Sequence, residues 1–318
     1  MRLSRQSIPM VATGVVCVLL YLAAGFKFPG FFSMRVFVNF LGDNAFLGIV
    51  AIGLTFVILS GGIDLSVGAV VGCVGIAAAT LITKAELHPS AVILLLLAGG
   101  TLLGTLHGVA IQKFGLPPFL VTLAGLFLCR GIGLWISSES IQIAHPFVRS
   151  LRDLRIPLGD GVHLPFQACL FLLVLFAAMY VAKFTRFGRT VYAIGGNEAS
   201  ANLMGLSVPR TKVGVYALSG FCAALGGLVY SAYTSAGNAI AGTGLELDAI
   251  AAVVMGGTLL TGGYGSPFGT LLGLLIFAVI QTAITFDGTL SSWWSKIVTG
   301  TLLLAFILLQ RALQRGRA

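Results

Sequence analysis

Charge is scarce in this chain. Its 318 residues hold 19 Lys and Arg and 10 Asp and Glu, 9% in all, where a soluble domain carries about 25%. Hydrophobic residues make up 57%, and the mean hydropathy is +1.01. That balance excludes a soluble fold and leaves no room for a large soluble domain beside the apolar segments. The formal net charge of +9 does not indicate nucleic acid, because the basic residues lie between or beside apolar runs, where membrane orientation signals belong. The expected class is an all-α, polytopic integral membrane protein, with residues 1–318 forming one transmembrane domain.

Motifs of soluble chemistry are missing. No Gly is followed by Lys, so there is no P-loop, and no G-x-G-x-x-G, H-E-x-x-H or C-x-x-C occurs. Leu59-Ser60-Gly61-Gly62 echoes the signature of ATP-binding cassettes, but it sits at the end of an apolar run with no nucleotide motif near it. The five cysteines all fall in apolar runs and read as small buried hydrophobes. The four histidines are scattered, with only His107 inside a span, and suit structural or interfacial roles. No metal site and no cofactor is expected. The ten acids map to span ends or loops, which counts against an ion-coupled secondary transporter. An intramembrane enzyme would need clustered Asp, His or Asn, and no cluster is visible.

Glycine, by contrast, is abundant and patterned. Gly61, Gly62, Gly68 and Gly72 in LSGGIDLSVGAVVG match Gly262, Gly263, Gly269 and Gly273 in LTGGYGSPFGTLLG. Both read G-G-x5-G-x3-G between apolar runs. Each is expected to stop one helix, turn tightly, and start another with small residues on one face. Duplicated breaks of this kind point toward a transport pathway.

A span needs about 20 mostly apolar residues. Ten such segments are expected, at 9–26, 42–60, 66–83, 89–111, 118–137, 165–182, 212–231, 246–261, 267–286 and 293–310. The first follows Arg2 and Arg5 and is read as an uncleaved helix. With the N-terminus inside, inner segments hold eleven Lys and Arg and outer segments six; Arg130 and Lys296 fall within spans. Both termini and both breaks are then cytoplasmic. Asp43, Asp64, the pattern Thr243-x-x-Glu246, and Ser291 or Ser292 are expected helix caps.

Two loops are long: an outer one at about 138–164 and an inner one at about 183–211. In the inner loop, residues 197–206 form an expected amphipathic helix, with Leu203 and Leu206 a turn apart, Gly195 and Gly196 before it and Pro209 ending it. Such a helix wants a partner groove or the inner leaflet.

GGIDLSVG, TLAGLFLCRG, TRFGRTVYAIGGNEASANLMG and GLELDAIAAVVMGGTLLTGGYGSPFGT, in that order, resemble the permeases of bacterial ribose-type sugar ABC importers over nearly the whole chain. NFLGDNAFLGIVAIGLTFVILSGGIDLSVG and FDGTLSSWW look most like the permease of galactofuranose importers. The resemblance implies an inner-membrane transport subunit rather than an enzyme. Implied partners are a second permease subunit (paralogous or identical), two ATP-binding cassette subunits that hold the ATP and Mg, a periplasmic sugar-binding protein, a monosaccharide and membrane lipid. It also makes the segment with Gly195, Gly196, Asn197, Glu198, Leu203 and Gly205 the loop that couples to the ATPase. Glu198-Ala199-Ser200 with Gly205 departs by one residue from the widespread importer pattern E-A-A-x3-G.

Charges near the membrane carry the remaining site expectations. Arg130 lies in the outer half of the fifth segment and is a candidate pathway residue, with headgroup contact or a pair to Glu139 as the structural reading. Asp64, Glu246 and Asp248 read as helix-start acids or pathway residues. Arg149, Arg152 and Arg155, three apart, are expected on one face of a short helix, either solvated or docking a binding protein.

Overall fold

The computed structural model describes residues 8–315 except 160, 290 and 292, with side chains described for 10–308 of these. Arg2, Arg5, Ser292 and Arg317, used above for charge and capping, lie outside the described residues. In chain order the elements are α1 (Ile8–Lys27), α2 (Met34–Asp43), α3 (Ala45–Leu59), α4 (Val67–Thr83), α5 (Pro89–Phe114), α6 (Pro118–Ile136), β1 (Ile141–Gln142), α7 (Pro146–Asp153), β2 (Arg155–Gly159), β3 (Val162–Pro165), α8 (Phe166–Phe184), α9 (Arg186–Gly196), α10 (Glu198–Leu203), α11 (Val208–Thr234), β4 (Ala236–Gly237), α12 (Leu245–Met255), α13 (Pro267–Asp287) and α14 (Trp293–Arg315).

Among the described residues, six helices are long and apolar enough to cross a membrane: α1, α5, α6, α8, α11 and α13. The pair α2 and α3, bent by 57° at Asn44, makes a seventh if it is one span. α4 and the apolar part of α14 are shorter. The eighth expected segment is corrected. α12 stops at Met255, and its 11 residues rise only about 16 Å, roughly half a bilayer core. Gly256 and Gly257 follow, and Gly257 takes φ +88°, so the apolar stretch to 261 is not helical.

α3 is the centre of the core. Every residue from Ala45 to Leu59 except Phe46 is buried, as for a helix apolar all round. α11 packs against α3, α4 and α5. Its contact with α5 is close because Gly100, Gly104 and Gly108 of α5 face Gly220, Tyr216 and Val213 of α11. A Cβ on Gly108 would lie 2.7 Å from Val213 Cα. Small residues at spacing four permit that approach between apolar helices.

The expected outer loop is structured. β2 and β3 form an antiparallel hairpin, and β1 pairs antiparallel with the distant β4. Several expected caps are corrected. Asp43 ends α2 and accepts from Tyr233 Oη at 3.2 Å. Ser66 stands at the start of α4. Gly244 in the left-handed region starts α12, with no side-chain cap. The Thr243 hydroxyl turns back to the Ile240 carbonyl at 2.6 Å.

Candidate functional site

Three Gly-Gly pairs from distant parts of the chain meet at one end of the bundle. α3 ends at Leu59, and Gly61 turns the chain with φ +79°. Gly262 and Gly263 turn it after α12, with φ +86° and +75°. The Gly263 amide donates to the Leu59 carbonyl at 2.9 Å, joining the two turns. Gly195, at the end of α9, lies against both. A methyl on Gly195 would run into the Leu59 carbonyl and the Gly263 amide, and a Cβ on Gly262 would lie 3.0 Å from Gly195 Cα. A Cβ on Gly263 would lie 2.7 Å from Gly196 N. Tyr192 of α9 adds a hydrogen bond from its hydroxyl to the Gly265 carbonyl at 2.8 Å. At Gly195, Gly262 and Gly263 the contact is backbone to backbone, so only glycine fits; Gly62 faces the Tyr216 hydroxyl instead, and a Cβ on Gly196 would meet nothing within 4 Å.

The glycines that follow each turn have different partners. Gly269 and Gly273 of α13 face the Gly256 and Ala252 carbonyls, so α13 packs back along α12. Gly68 and Gly72 of α4 face the 239–242 segment and Glu246 instead.

The inner segment is two helices rather than a loop. Thr185 caps α9, its hydroxyl accepting from Gly188 N at 3.1 Å. Asn197 caps α10, accepting from Ser200 N at 2.8 Å. Gly205, at φ +74°, ends it; Pro209 instead lies in the first turn of α11. The expected Leu203/Leu206 face does not form. Leu203 is 88% exposed, while Leu206 packs on Ile194, Ala201 and Val208. Met204 is exposed beside Leu203. Glu198 pairs with Lys212 of α11 at 2.6 Å, tying α10 to the longest helix. A polar cavity of about 230 Å³ opens here, lined in part by Ser60, Gly61, Gly195, Glu198, Lys212 and Tyr216.

Deeper in the bundle, Asp64 is 1% exposed. It accepts from Ser66 N at 2.9 Å, Ser66 Oγ at 2.6 Å and Ser219 Oγ at 2.7 Å. Tyr216 donates to the Ile63 carbonyl at 3.3 Å, and His107 is buried nearby. Asp64 therefore caps no helix end directly; it ties the first turn to α11. Sequence reasoning missed Tyr216 and Ser219. Their signal was two polar residues three apart in an apolar run.

Arg130 does not pair with Glu139. Its guanidinium donates to the Ala239 carbonyl at 2.6 Å and the Ala241 carbonyl at 3.1 Å. Glu246 points one carboxylate oxygen toward Gly68. Asp248 pairs with Lys296 of α14 at 2.5 Å. At this same end, Arg149 and Arg152 lie on α7 while Arg155 lies on β2. The three do not share a helical face, because α7 stops at Asp153. Arg152 donates to Ser235 Oγ at 2.8 Å and to Asp153, and it holds the Asp153 carboxyl below the usual carboxylate range. Arg149 and Arg155 are exposed.

An apolar bundle whose helix ends meet a small exposed helical unit has the make-up of a membrane transport subunit. Comparison with known proteins narrows this. Residues 36–307 match the family described as "Branched-chain amino acid transport system / permease component", and the chain belongs to that family. It is 50% identical to the inner membrane ABC transporter permease protein YjfF of Escherichia coli (97% of this chain, 93% of that one). It is 36% identical to the fructose import permease FruG of Bifidobacterium longum (98% and 93%). Identity to the ribose import permease RbsC of Haemophilus influenzae is 39% (88% and 86%). These similarities make it a permease component of the ribose-type sugar ABC importers, a transport subunit of a multi-pass membrane protein class. No solved structure matches it.

Proposed function

We propose that this chain is the membrane-spanning subunit through which an ATP-driven importer moves a monosaccharide, galactofuranose-like or another pentose or hexose, across a bacterial inner membrane. It pairs with a second permease subunit, identical or paralogous. Cassette ATPase subunits hold the ATP and Mg; a periplasmic binding protein delivers the sugar. Both termini are cytoplasmic, and residues 1–318 act as one transmembrane domain.

The observation that supports this reading is the seating of Gly195 and Gly196 between the two turns. Leu203 of α10 and Met204 just after it are exposed to a partner, and only Asn197 separates α10 from α9. A displacement of α10 by the ATPase therefore reaches Gly61 and Gly262 with no slack, since three backbones touch. The turns lie between α3 and α4 and between α12 and α13, so the same displacement re-aims α4 and α13. That is a two-state element biased from one end. Arg130, which holds the Ala239 and Ala241 carbonyls, and Glu246 and Asp248, in the first turn of α12, are the candidate pathway residues in this reading. The ion-coupled alternative gains nothing from Asp64, whose carboxylate is already occupied by Ser66 and Ser219.

The test is ATP-dependent sugar uptake by the assembled complex in proteoliposomes, with galactofuranose, ribose and fructose competing. Uptake that persists without ATPase subunits but follows a proton or sodium gradient would overturn the reading.

A further inference from the structure

Beside the α10 unit lies a groove that the transport reading leaves unused. It has a volume of about 630 Å³ and runs between the last turn of α5 and the first turns of α11. Val109, Gln112 and Lys113 form one wall; Pro209, Arg210 and Val213 form the other. The floor is apolar and both charges are positive. Neither Lys113 nor Arg210 has an ion-pair partner among the described residues. Arg210 sits in the first turn of α11, where a cation opposes the helix dipole, so the helix itself gives it no favourable role.

The surroundings are apolar as well. Phe114 at the end of α5, Leu116 in the link, and Phe119 and Leu120 in the first turn of α6 are all exposed large side chains. Four in seven residues form a patch that suits lipid, not water. Two cations over an apolar floor, with exposed apolar residues next in the chain, have the character expected of a membrane boundary.

We propose that this groove binds an anionic phospholipid. The phosphate sits between Lys113 and Arg210, and an acyl chain runs over Val109 and Val213. Basic pockets between membrane helices take acidic headgroups in this way. The choice of the cytoplasmic leaflet rests on the orientation proposed above; the binding itself rests only on the groove and its charges. Gln112 and Pro209 also line a neighbouring depression with Glu198 and Asn202 of α10. A bound lipid thus stands against the unit that receives the ATPase, and its headgroup adjusts how firmly α10 is held.

The experiment measures lipid retention by the full-length protein with native mass spectrometry, using phosphatidylglycerol and phosphatidylcholine as probes. Lys113→Gln with Arg210→Gln should weaken phosphatidylglycerol binding about thirty-fold, as expected for two basic contacts. Phosphatidylcholine binding should not change. Lys113→Arg with Arg210→Lys should retain phosphatidylglycerol, which separates loss of charge from misfolding. An equal loss on Lys183→Gln with Arg189→Gln would assign the effect to general surface charge and overturn the site. So would unchanged phosphatidylglycerol binding in the Gln pair combined with lost ATPase assembly, which would make the groove a protein interface.

Discussion

The glycines of this chain divide by what a methyl group would meet. At Gly14 in α1 it meets nothing within 4 Å, and Gly14→Ala should be neutral or slightly stabilising in a helix. At Gly205 it also meets nothing, but φ is +74°, so Gly205→Ala should cost roughly 1–2 kcal/mol through backbone strain alone. At Gly195 it meets two backbones, and overpacking of that kind costs about 1–3 kcal/mol. Gly195→Ala and Gly262→Val should therefore lose uptake, while Gly14→Ala keeps it. Comparable uptake from all three would mean the glycine contact plays no part in transport. Asp64→Ala leaves two hydroxyls and an amide without their acceptor, at about 1–3 kcal/mol for each buried unsatisfied group. Its melting temperature in detergent should fall clearly below that of Ser219→Ala, which removes one donor only; the reverse order would refute the assignment. The sequence made the Gly61-Gly62 and Gly262-Gly263 pairs visible by their matched spacing. Nothing in it brought Gly195 to them, because that contact depends on how α9 folds back. The spacing of Arg149, Arg152 and Arg155 misled for a related reason: three-residue periodicity implies a face only while the helix lasts, and α7 ends between the second and third.

At the scale of elements, α10 is the test case. It is six residues long, too short to stand alone, and is held by the Asn197 cap, the Ala201 contact and the Glu198–Lys212 pair. Leu203→Asp removes no internal contact, since the side chain is 88% exposed. The variant should insert normally yet lose stimulated ATP hydrolysis in the complex; retained stimulation would remove α10 from coupling. Glu198→Lys should impair coupling, and adding Lys212→Glu should restore it in part, since a half-exposed pair contributes up to about 1 kcal/mol. Long apolar helices were easy to place: α13 was expected at 267–286 and runs Pro267–Asp287. α12 was expected too long because its apolar run continues through Gly256 and Gly257, and hydropathy does not register a helix end. α9 escaped notice because RFGRTVYAIGG mixes charge and glycine. The β1–β4 pairing joins Ile141 to Gly237 and Gln142 to Ala236, far apart in the chain, which no local pattern encodes.

For the whole molecule, the decisive measurement is sidedness. Ser150 on α7 and Ser200 on α10 are both exposed. Ser150→Cys and Ser200→Cys should react with an impermeant thiol reagent from opposite sides of the membrane, Ser150 from the periplasm. Labelling from one side would break the proposed topology. Neutralising Arg149 and Arg155 together should slow binding-protein docking and flatten its salt dependence. Arg152→Gln should do less to docking, because its guanidinium is engaged with Ser235 and Asp153. One feature links the two surfaces. α11 is an unbroken helix of 27 residues, about 40 Å long. Lys212 near its start holds α10, and Ser235 just past its end holds Arg152. A single rod thus touches the unit proposed to meet the ATPase and the helix proposed to meet the binding protein. Messages along it must run both ways with equal weight. Whatever factor a docked binding protein adds to nucleotide affinity on one side, bound nucleotide must return to the binding protein on the other.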